Sequence, residues 1–116
     1  MIIKIIKTSI KKSELAQMAN EEFGDIVKAV IDVRQEIMAL GGELHSDEEV
    51  LLSEQEQSKR EDTWGINFYP KKAENDWIEF DSMINIKPHL GNRSRDVESP
   101  AIRERIRMVV KKLVKE

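Results

Sequence analysis

The segment from residue 26 to residue 44 constrains the fold more than any other part of the chain. Two apolar runs, residues 26–33 and 37–44, flank a polar turn at residues 34–36. Runs rich in β-branched and other apolar residues around a short polar turn predict a β-hairpin. Apolar residues occupy both alternating positions in each run, so both faces of the hairpin are expected to be buried, inside the protein or at an interface.

The segments on either side of this hairpin predict further strands and helices. Residues 2–7 are typical of a strand, and residues 13–23 of a helix that Gly24 ends. Residues 46–54 predict a second helix, in which Ser46 and Glu49 would form a capping box. The apolar face of the first helix is expected to carry Leu15, Met18, Ala19 and Phe23.

The second half of the chain predicts another hairpin and a last helix. Residues 64–70 and 77–87 alternate with a period of two, which is the pattern of half-buried strands. Ser99 followed by Pro100 is a common helix start. We therefore predict a single α+β domain over residues 1–116, with a five-stranded mixed sheet in β-α-β-β-α-β-β-α order and helices mainly on one face. The second strand of this hairpin should place Ile78, Phe80, Ile84 and Ile86 on one face.

Composition excludes several classes of protein. A chain of 116 residues is the length of one domain. The absence of Cys excludes disulfides, thiolate zinc sites and a Cys nucleophile. No stretch approaches the ~18 apolar residues of a membrane span. The apolar start is too short for a signal peptide, so the expected location is cytoplasmic.

Charge is distributed unevenly along the chain. Residues 1–12 carry four Lys and no acid, residues 13–86 carry 18 acids and six bases, and residues 87–116 carry nine bases and four acids. The basic end has no cluster of aromatic residues on which bases could stack, and the net charge is −3. These features argue against a nucleic-acid partner.

The polar face of the second hairpin is the first candidate site. If Tyr69 pairs with Trp77, Asn67 lies opposite Glu79 and Gly65 lies opposite Asp81. Glu79 and Asp81 would then point the same way, as a weak candidate pair for a hard cation or for an acid with a raised pKa. The alternative is an ordinary solvated sheet face. The residues expected on this face are Asn67, Tyr69, Trp77, Glu79, Asp81, Met83, Asn85 and Lys87.

The segment Gly41-Gly42-Glu43-Leu44-His45 is the second candidate. Two Gly at the end of an apolar strand indicate a bulge or a close approach to the backbone. Glu43 and His45 could act as a proton-transfer couple, or make only a hydrogen bond at the strand end. His45 and His89 are the two His of the chain, which argues against a metal site built from several His.

The loop of residues 91–95 is the third candidate. Asn92, Arg93, Ser94 and Arg95 offer amide, guanidinium and hydroxyl donors just ahead of a helix start. Such a set suits a carboxylate or a phosphate, with Asn85 and Lys87 leading into it. The alternative is a turn in which Gly91 and Asn92 supply left-handed backbone angles and the Arg side chains pair with acids elsewhere.

Three stretches together resemble a small prokaryotic family of unknown function. They are "VKAVIDVRQEIMALGGELHSDEEVLL", "TWGINFYP" and "DWIEFDSMINIKPHLGNRSRDVESPAIRERI", and the resemblance extends over nearly the whole chain from Ile10 on. It implies no activity, cofactor or catalytic residue. It does imply that residues 41–45, 64–67 and 91–95 are motifs of that family. The family is expected to have Arg at position 87, and Lys87 weakens bidentate anion binding there.

Two functions follow from these observations. The first is binding of a small anionic ligand, with or without catalysis, at the polar sheet face and the loop that starts at Gly91. The second is a structural or protein-interaction module without activity. The two-sided apolar hairpin predicts a homodimer in either case, because three helices can hardly cover both faces of five strands.

Overall fold

The predicted hairpin forms the middle of the sheet. A computed structural model describes residues 2–22 and 24–116, apart from the side chain of residue 22, and places strand β3 at Val27–Asp32 and β4 at Ile37–Leu40. Asp32 holds the turn between them, because its Oδ1 accepts hydrogen bonds from the N–H groups of Arg34, at 2.9 Å, and Gln35, at 3.0 Å. The hairpin prediction is confirmed.

The other strands extend this hairpin on both sides. Strand β1 (Lys4–Ile6) pairs with β4, β5 (Thr63–Phe68) pairs with β3, and β6 (Ile78–Glu79) pairs with β5. The five strands lie in the order β1-β4-β3-β5-β6, and every neighbouring pair is antiparallel. Parallel pairing occurs in a second, two-stranded sheet of β2 (Ile10–Lys11) and β7 (Val114–Lys115).

Helices cover both faces of the main sheet. Helices α1 (Lys12–Glu22) and α3 (Pro100–Leu113) pack on the face that carries Ala29, Ile31 and Ile66. Helix α2 (His45–Glu56) and a short 3₁₀ helix at Met83–Asn85 cover the other face. The predicted α+β fold is confirmed, and two of the three α-helices in the described residues, α1 and α3, lie on one face.

The hairpin is buried within one chain. Val30 and Ala39 point to the face under α2, Ala29 and Met38 point to the opposite face, and all four are 0% exposed. The homodimer was predicted on the assumption that one face of the hairpin would stay exposed in a single chain. That assumption is wrong, because α2 and the 3₁₀ helix bury this face. The homodimer itself stays a prediction.

The helix ends agree with the sequence at two places and differ at one. Gly24 follows α1 with φ +86°, and Ser99 caps α3 through its Oγ and the N–H of Ile102. The start of α2 is different, since Leu44 is its N-cap and no side chain caps it. The predicted capping box of Ser46 and Glu49 is therefore wrong. The expected place of Phe23 on the face of α1 lies outside the described residues.

The strand predicted over residues 77–87 is much shorter than expected. It ends at Glu79, after which the chain leaves the sheet and forms the 3₁₀ helix. Ile84 consequently packs in the core under α2 rather than on the face of Ile78. Trp77 leaves the predicted polar face and stacks on Phe68 in the other core, with 4.8 Å between ring centroids.

Candidate functional site

A polar row crosses three strands of the main sheet. Lys28 on β3 lies opposite Asn67 on β5, and Asn67 lies opposite Glu79 on β6. The predicted register of Asn67 and Glu79 is confirmed. Nδ2 of Asn67 donates to Oε1 of Glu79 at 2.9 Å, and the hydroxyl of Tyr69 donates to the same oxygen at 3.1 Å.

The amide of Asn67 has a fixed orientation and an unmet acceptor. Its Nδ2 also donates to the backbone oxygen of Asp81, at 3.2 Å, so both oxygens near Nδ2 can only accept. A flipped amide would therefore set oxygen against oxygen. Oδ1 of Asn67 is buried and makes no hydrogen bond of ordinary geometry among the described residues, although the Asn67 side chain lies close enough to His45 to raise the pKa of its imidazole. Oε1 of Glu48 is a second buried oxygen of this kind. Such an atom costs roughly 1–3 kcal/mol.

Asn67 lies on the wall of a cleft of about 270 Å³. The sheet supplies Lys28 and Asn67, while the start of α2 supplies His45 and Ser46. Arg95 also lines the cleft. The remaining residues of the wall are Leu44, Asp81, Ser82, Met83 and Ile84.

Positive charge and backbone donors border this cleft. Nζ of Lys28 donates to the backbone oxygen of Glu43 at 2.8 Å. Nε of Arg95 donates to Oδ1 of Asp81 at 2.7 Å, and both side chains are about half exposed. Helix α2 begins at the cleft without a side-chain cap, so the positive end of its dipole is directed there.

Burial of His45 favours its neutral form, and a hydrogen bond of the ring favours one tautomer. Burial lowers its pKa from the ordinary value, an effect that the hydrogen bond to the backbone of Ile66 opposes. Nε2 lies 2.8 Å from the carbonyl oxygen of Ile66, which can only accept. Nε2 therefore carries the proton, and Nδ1 is left as an acceptor.

The predicted couple of Glu43 and His45 has no hydrogen bond in the described structure. Glu43 is exposed and lines a separate depression with Ile3, Gly42 and Asp47. The close approach expected at the two Gly is made by another residue, Glu48, whose Oε2 accepts from the N–H of Gly42 at 2.8 Å. The proton-transfer role of Glu43 and His45 stays a prediction.

The donors of the loop at residues 91–95 are engaged by a carboxylate of the same chain. Oε2 of Glu98 accepts from the N–H of Arg93 and of Ser94, each at 2.9 Å, and from the hydroxyl of Ser94 at 2.8 Å. The hydroxyl of Ser94, followed by these two N–H groups, lowers the pKa of Glu98. The backbone N–H groups of Arg93 and Ser94 and the Ser94 hydroxyl are therefore engaged within the chain, and binding of an external anion by this loop stays a prediction.

Three further residues of the predicted ligand set are buried and engaged with the backbone. Asn85 bonds both the N–H and the carbonyl of Gly65, at 2.8 Å and 3.0 Å. Nδ2 of Asn92 donates to the carbonyls of Asn85, Ser94 and Asp96. Nζ of Lys87 donates to the carbonyl of Ile84 and lies 5.0 Å from the centre of the Trp64 ring.

The carboxylates of Glu79 and Asp81 do not converge. Glu79 turns toward Tyr69 and lines a neighbouring depression, whereas Asp81 turns toward Arg95 in the cleft. Gly65 is packed against Ser82, whose Cβ lies 2.5 Å from where a Cβ of residue 65 would be. Within residues 2–22 and 24–116, no group of three or more His, Cys, Asp or Glu could hold a metal ion.

Comparison with known families identifies the chain. A family model described as a protein of unknown function (DUF5674) matches residues 4–113. The chain belongs to the DUF5674 family. No curated protein and no solved structure matches this DUF5674 chain. None of the helices in the described ranges is both long and apolar enough to cross a membrane.

The sequence analysis of this DUF5674 chain did not single out two charged residues, Lys28 and Glu48, whose positions only the structure reveals. Lys28 is the one charged residue among the apolar positions 26–31, and such an interruption is a signal that a strand carries a polar spot. Glu48 is 0% exposed, and burial raises its pKa well above the ordinary value. Only the preceding pair of Gly gave a hint of Glu48, because they permit the close approach of its side chain to Gly42.

Proposed function

We propose that the protein binds a small anionic molecule in the cleft at the start of α2. The observation that carries the proposal is the convergence of Lys28, Arg95 and the uncapped first turn of α2 on one cleft. Each of the three attracts negative charge, and they come from separate parts of the chain.

The walls of the cleft suit a small ligand. Its volume of about 270 Å³ lies just below the roughly 300–1,000 Å³ of sites that hold drug-sized molecules. Leu44 and Met83 add apolar surface at the rim, where they are 54% and 65% exposed. A carboxylate or phosphate on a compact carbon skeleton matches this combination of charge and size.

The proposal moves the predicted anion site from the loop to the sheet. Arg95 belongs both to the predicted loop site and to the proposed cleft site, because its side chain lines the cleft. Arg93 does not line the cleft, and the backbone donors beside it are engaged by Glu98. Arg93 and Arg95 therefore form a matched pair of exposed Arg residues that separates the two sites.

A thermal-shift screen of the purified chain tests the proposal. Inorganic phosphate, acetate and propionate are added singly to wild type, Lys28→Met, Arg95→Gln and the control Arg93→Gln. A ligand at 100 times its dissociation constant adds about 2.7 kcal/mol to stability, which is a readily measured shift. We expect wild type and Arg93→Gln to respond, and both cleft variants to lose most of the response at an unchanged fold.

Two results would contradict the proposal. One is the absence of a shift with every anion at millimolar concentration. The other is an equal loss in Arg93→Gln and Arg95→Gln, which would return the site to the loop.

A homodimeric interaction module without activity is the second candidate function. Leu44 and Met83 favour it, because two large apolar side chains are exposed on either side of one cleft. Sedimentation at high micromolar concentration tests it with wild type and with Leu44→Ser/Met83→Ser. A dimer that the double variant abolishes supports the module, and a monomer in both samples removes it.

A further inference from the structure

A second cleft lies on the side of the main sheet that α1 and α3 cover, and it shares no residue with the cleft at the start of α2. Its volume is about 390 Å³, within the roughly 300–1,000 Å³ of sites that hold drug-sized molecules. Its wall is formed by the start of α1, the turn before β6, β6 itself, the second half of α3 and β7. A small organic molecule can therefore contact several elements at once.

One part of the wall of the second cleft is apolar. Trp77 and Val110 belong to the core under α1 and α3, and Ile78 and Val114 pack against that core while they stay partly exposed. All four side chains line the cleft. They offer an apolar surface against which a few carbon atoms of a ligand can pack.

Three cationic side chains line the same cleft. Lys12 comes from the start of α1, while Arg107 and Lys111 lie one turn apart on α3, a spacing at which like charges repel each other. Nζ of Lys12 lies 4.8 Å from the centre of the Trp77 ring. Within residues 2–22 and 24–116, none of the three cations forms an ion pair. An anion in the cleft would reduce this repulsion.

Arg103 on the same helix shows the contrast. The guanidinium carbons of Arg103 and Arg107 both lie 5.0 Å from the centre of the Phe80 ring. Arg103 also donates to both carboxylate oxygens of Asp96, each at 2.7 Å. Arg107 has the same aromatic contact but no carboxylate partner in the described ranges, so its charge is available to a ligand in the cleft that it lines.

We propose that the second cleft binds a monocarboxylate with an apolar body the size of one ring, an aromatic carboxylic acid being the simplest example. The carboxylate lies against Lys12, Arg107 and Lys111, and the ring packs on the apolar part of the wall. Glu74 and Glu116 also line the cleft, and their carboxylates disfavour a ligand with two negative charges. This site is separate from the anion site proposed above.

The first experiment tests whether charge and ring are both required. Calorimetry at about pH 7.5 compares benzoate with acetate, which lacks the ring, and with benzamide, which lacks the charge. Wild type and Arg95→Gln are used in parallel, because the latter removes a charge from the cleft at the start of α2 and so limits binding of acetate there. We expect benzoate to bind roughly 10-fold or more tightly than acetate or benzamide in both chains.

A matched pair of variants locates the site. Lys111 and Lys112 are exposed neighbours on α3, but Lys112 does not line the second cleft and its Nζ lies 2.7 Å from Oε1 of Glu36. We expect Lys111→Gln to weaken benzoate binding roughly 3-fold or more, and Lys112→Gln to leave it unchanged. Neither exposed substitution removes a side chain from the core, so both chains should fold.

Three results would overturn this inference. The first is the absence of benzoate binding at millimolar concentration, and the second is equal affinity for benzoate and either analogue in Arg95→Gln. The third is an equal loss in Lys111→Gln and Lys112→Gln, or a loss in Arg95→Gln alone, which would assign the benzoate to general surface charge or to the cleft at the start of α2. None of these results depends on whether phosphate or propionate binds in that other cleft.

Discussion

The loop that follows the last strand and the cleft at the start of α2 have similar polar groups but differ in how these groups are satisfied. In the loop, Glu98 accepts from the backbone N–H groups of Arg93 and Ser94, and both the oxygen and the nitrogen of the Asn92 amide are hydrogen-bonded. In the cleft, a buried oxygen of Asn67 has no hydrogen-bond partner among the described residues.

This difference shows that a run of polar residues in a sequence has two interpretations. A loop rich in Asn, Ser and Arg has donors either for a ligand or for its own backbone, and composition does not distinguish the two. An internal carboxylate that already accepts three hydrogen bonds makes the loop a finished structural unit. In the cleft, by contrast, the charged side chains of Lys28 and Arg95 form part of the wall, where an added ligand would contact them.

Asn85→Ala should cause the largest loss of stability among these variants, because it removes buried hydrogen bonds that hold the fold. It removes the partner of the N–H and the carbonyl of Gly65, both deep in the sheet. Each unmet buried group costs roughly 1–3 kcal/mol, so we expect a loss of about 3 kcal/mol or more in urea unfolding. Asn75→Ala, in the exposed turn between β5 and β6, is the control and should change stability little. A small loss for Asn85→Ala would mean that Asn85 is available to a ligand.

Gly65→Ala tests how tightly the segment after β6 closes on the sheet. An added Cβ would lie 2.5 Å from Cβ of Ser82 and 3.1 Å from Cδ2 of His45. Overpacking of this kind typically costs about 1–3 kcal/mol. Gly24→Ala is a poor control because its φ is positive, so Ala73→Ser in an exposed turn serves instead. A melting temperature equal to that of wild type would show that the segment moves away freely and that the cleft is not preformed.

The burial of His45 leads us to expect that the unfolding free energy depends on pH. Since burial lowers its pKa in the folded state, the unfolded chain binds more protons as the pH falls below about 6.5, and stability declines toward acid pH. His45→Gln can still donate to Ile66 but does not titrate, so its unfolding free energy should decline less between pH 7 and pH 5. The slope of one proton is at most about 1.4 kcal/mol per pH unit. Identical slopes for wild type and His45→Gln would show that burial of His45 does not lower its pKa in the folded state.

Glu98→Gln should have the smallest effect, because the loop is exposed to solvent. The pKa of Glu98 is lowered by Ser94 and by the N–H groups of Arg93 and Ser94, so its contribution to stability is present above about pH 4.5 and is lost as the pH falls through the folded value. The melting temperature of the variant should lie slightly below that of wild type at pH 7, and the two should converge as the pH falls below the lowered pKa of Glu98. Glu104→Gln, on the exposed side of α3, is the matched control. A difference that does not shrink as the pH is lowered would mean that the Glu98 charge does not organise the loop.

Much of the fold could be predicted because its signals are local. The apolar runs around Arg34–Glu36 formed the central hairpin, and the alternation of Trp64, Ile66 and Phe68 put these residues in one core. The pair Ser99-Pro100 marked the start of α3 to the residue. In each case the hydrogen bonds and the apolar periodicity involve residues that are close in sequence.

The end of the last strand was predicted wrongly because the Asn85 side chain, and not the backbone of a neighbouring strand, makes the hydrogen bonds to Gly65. Residues 80–86 alternate as a strand would, but Asn85 offers Gly65 the same donor and acceptor that a neighbouring strand would offer. Alternation reports which side chains prefer burial and not which backbone groups pair. Ile84 satisfies its own preference just as well under α2.

The candidate site was predicted in part. Asn67, Asp81, His45 and Arg95 came from the sequence, and the structure brings them to one cleft. Lys28 was missed because an isolated Lys in a strand is common, and its register opposite Asn67 exists only once β3 and β5 pair.

The sequence by itself determined the elements of this protein, because helix caps, apolar periods and turns act over a few residues. Only the tertiary structure decided which polar groups are left over. Glu98 reaches the loop, Asn85 reaches Gly65, and the oxygen of Asn67 has no hydrogen-bond partner among the described residues. Hydrogen-bond satisfaction depends on atoms meeting within about 3 Å, often from distant parts of the chain, and that condition is set by packing rather than by composition.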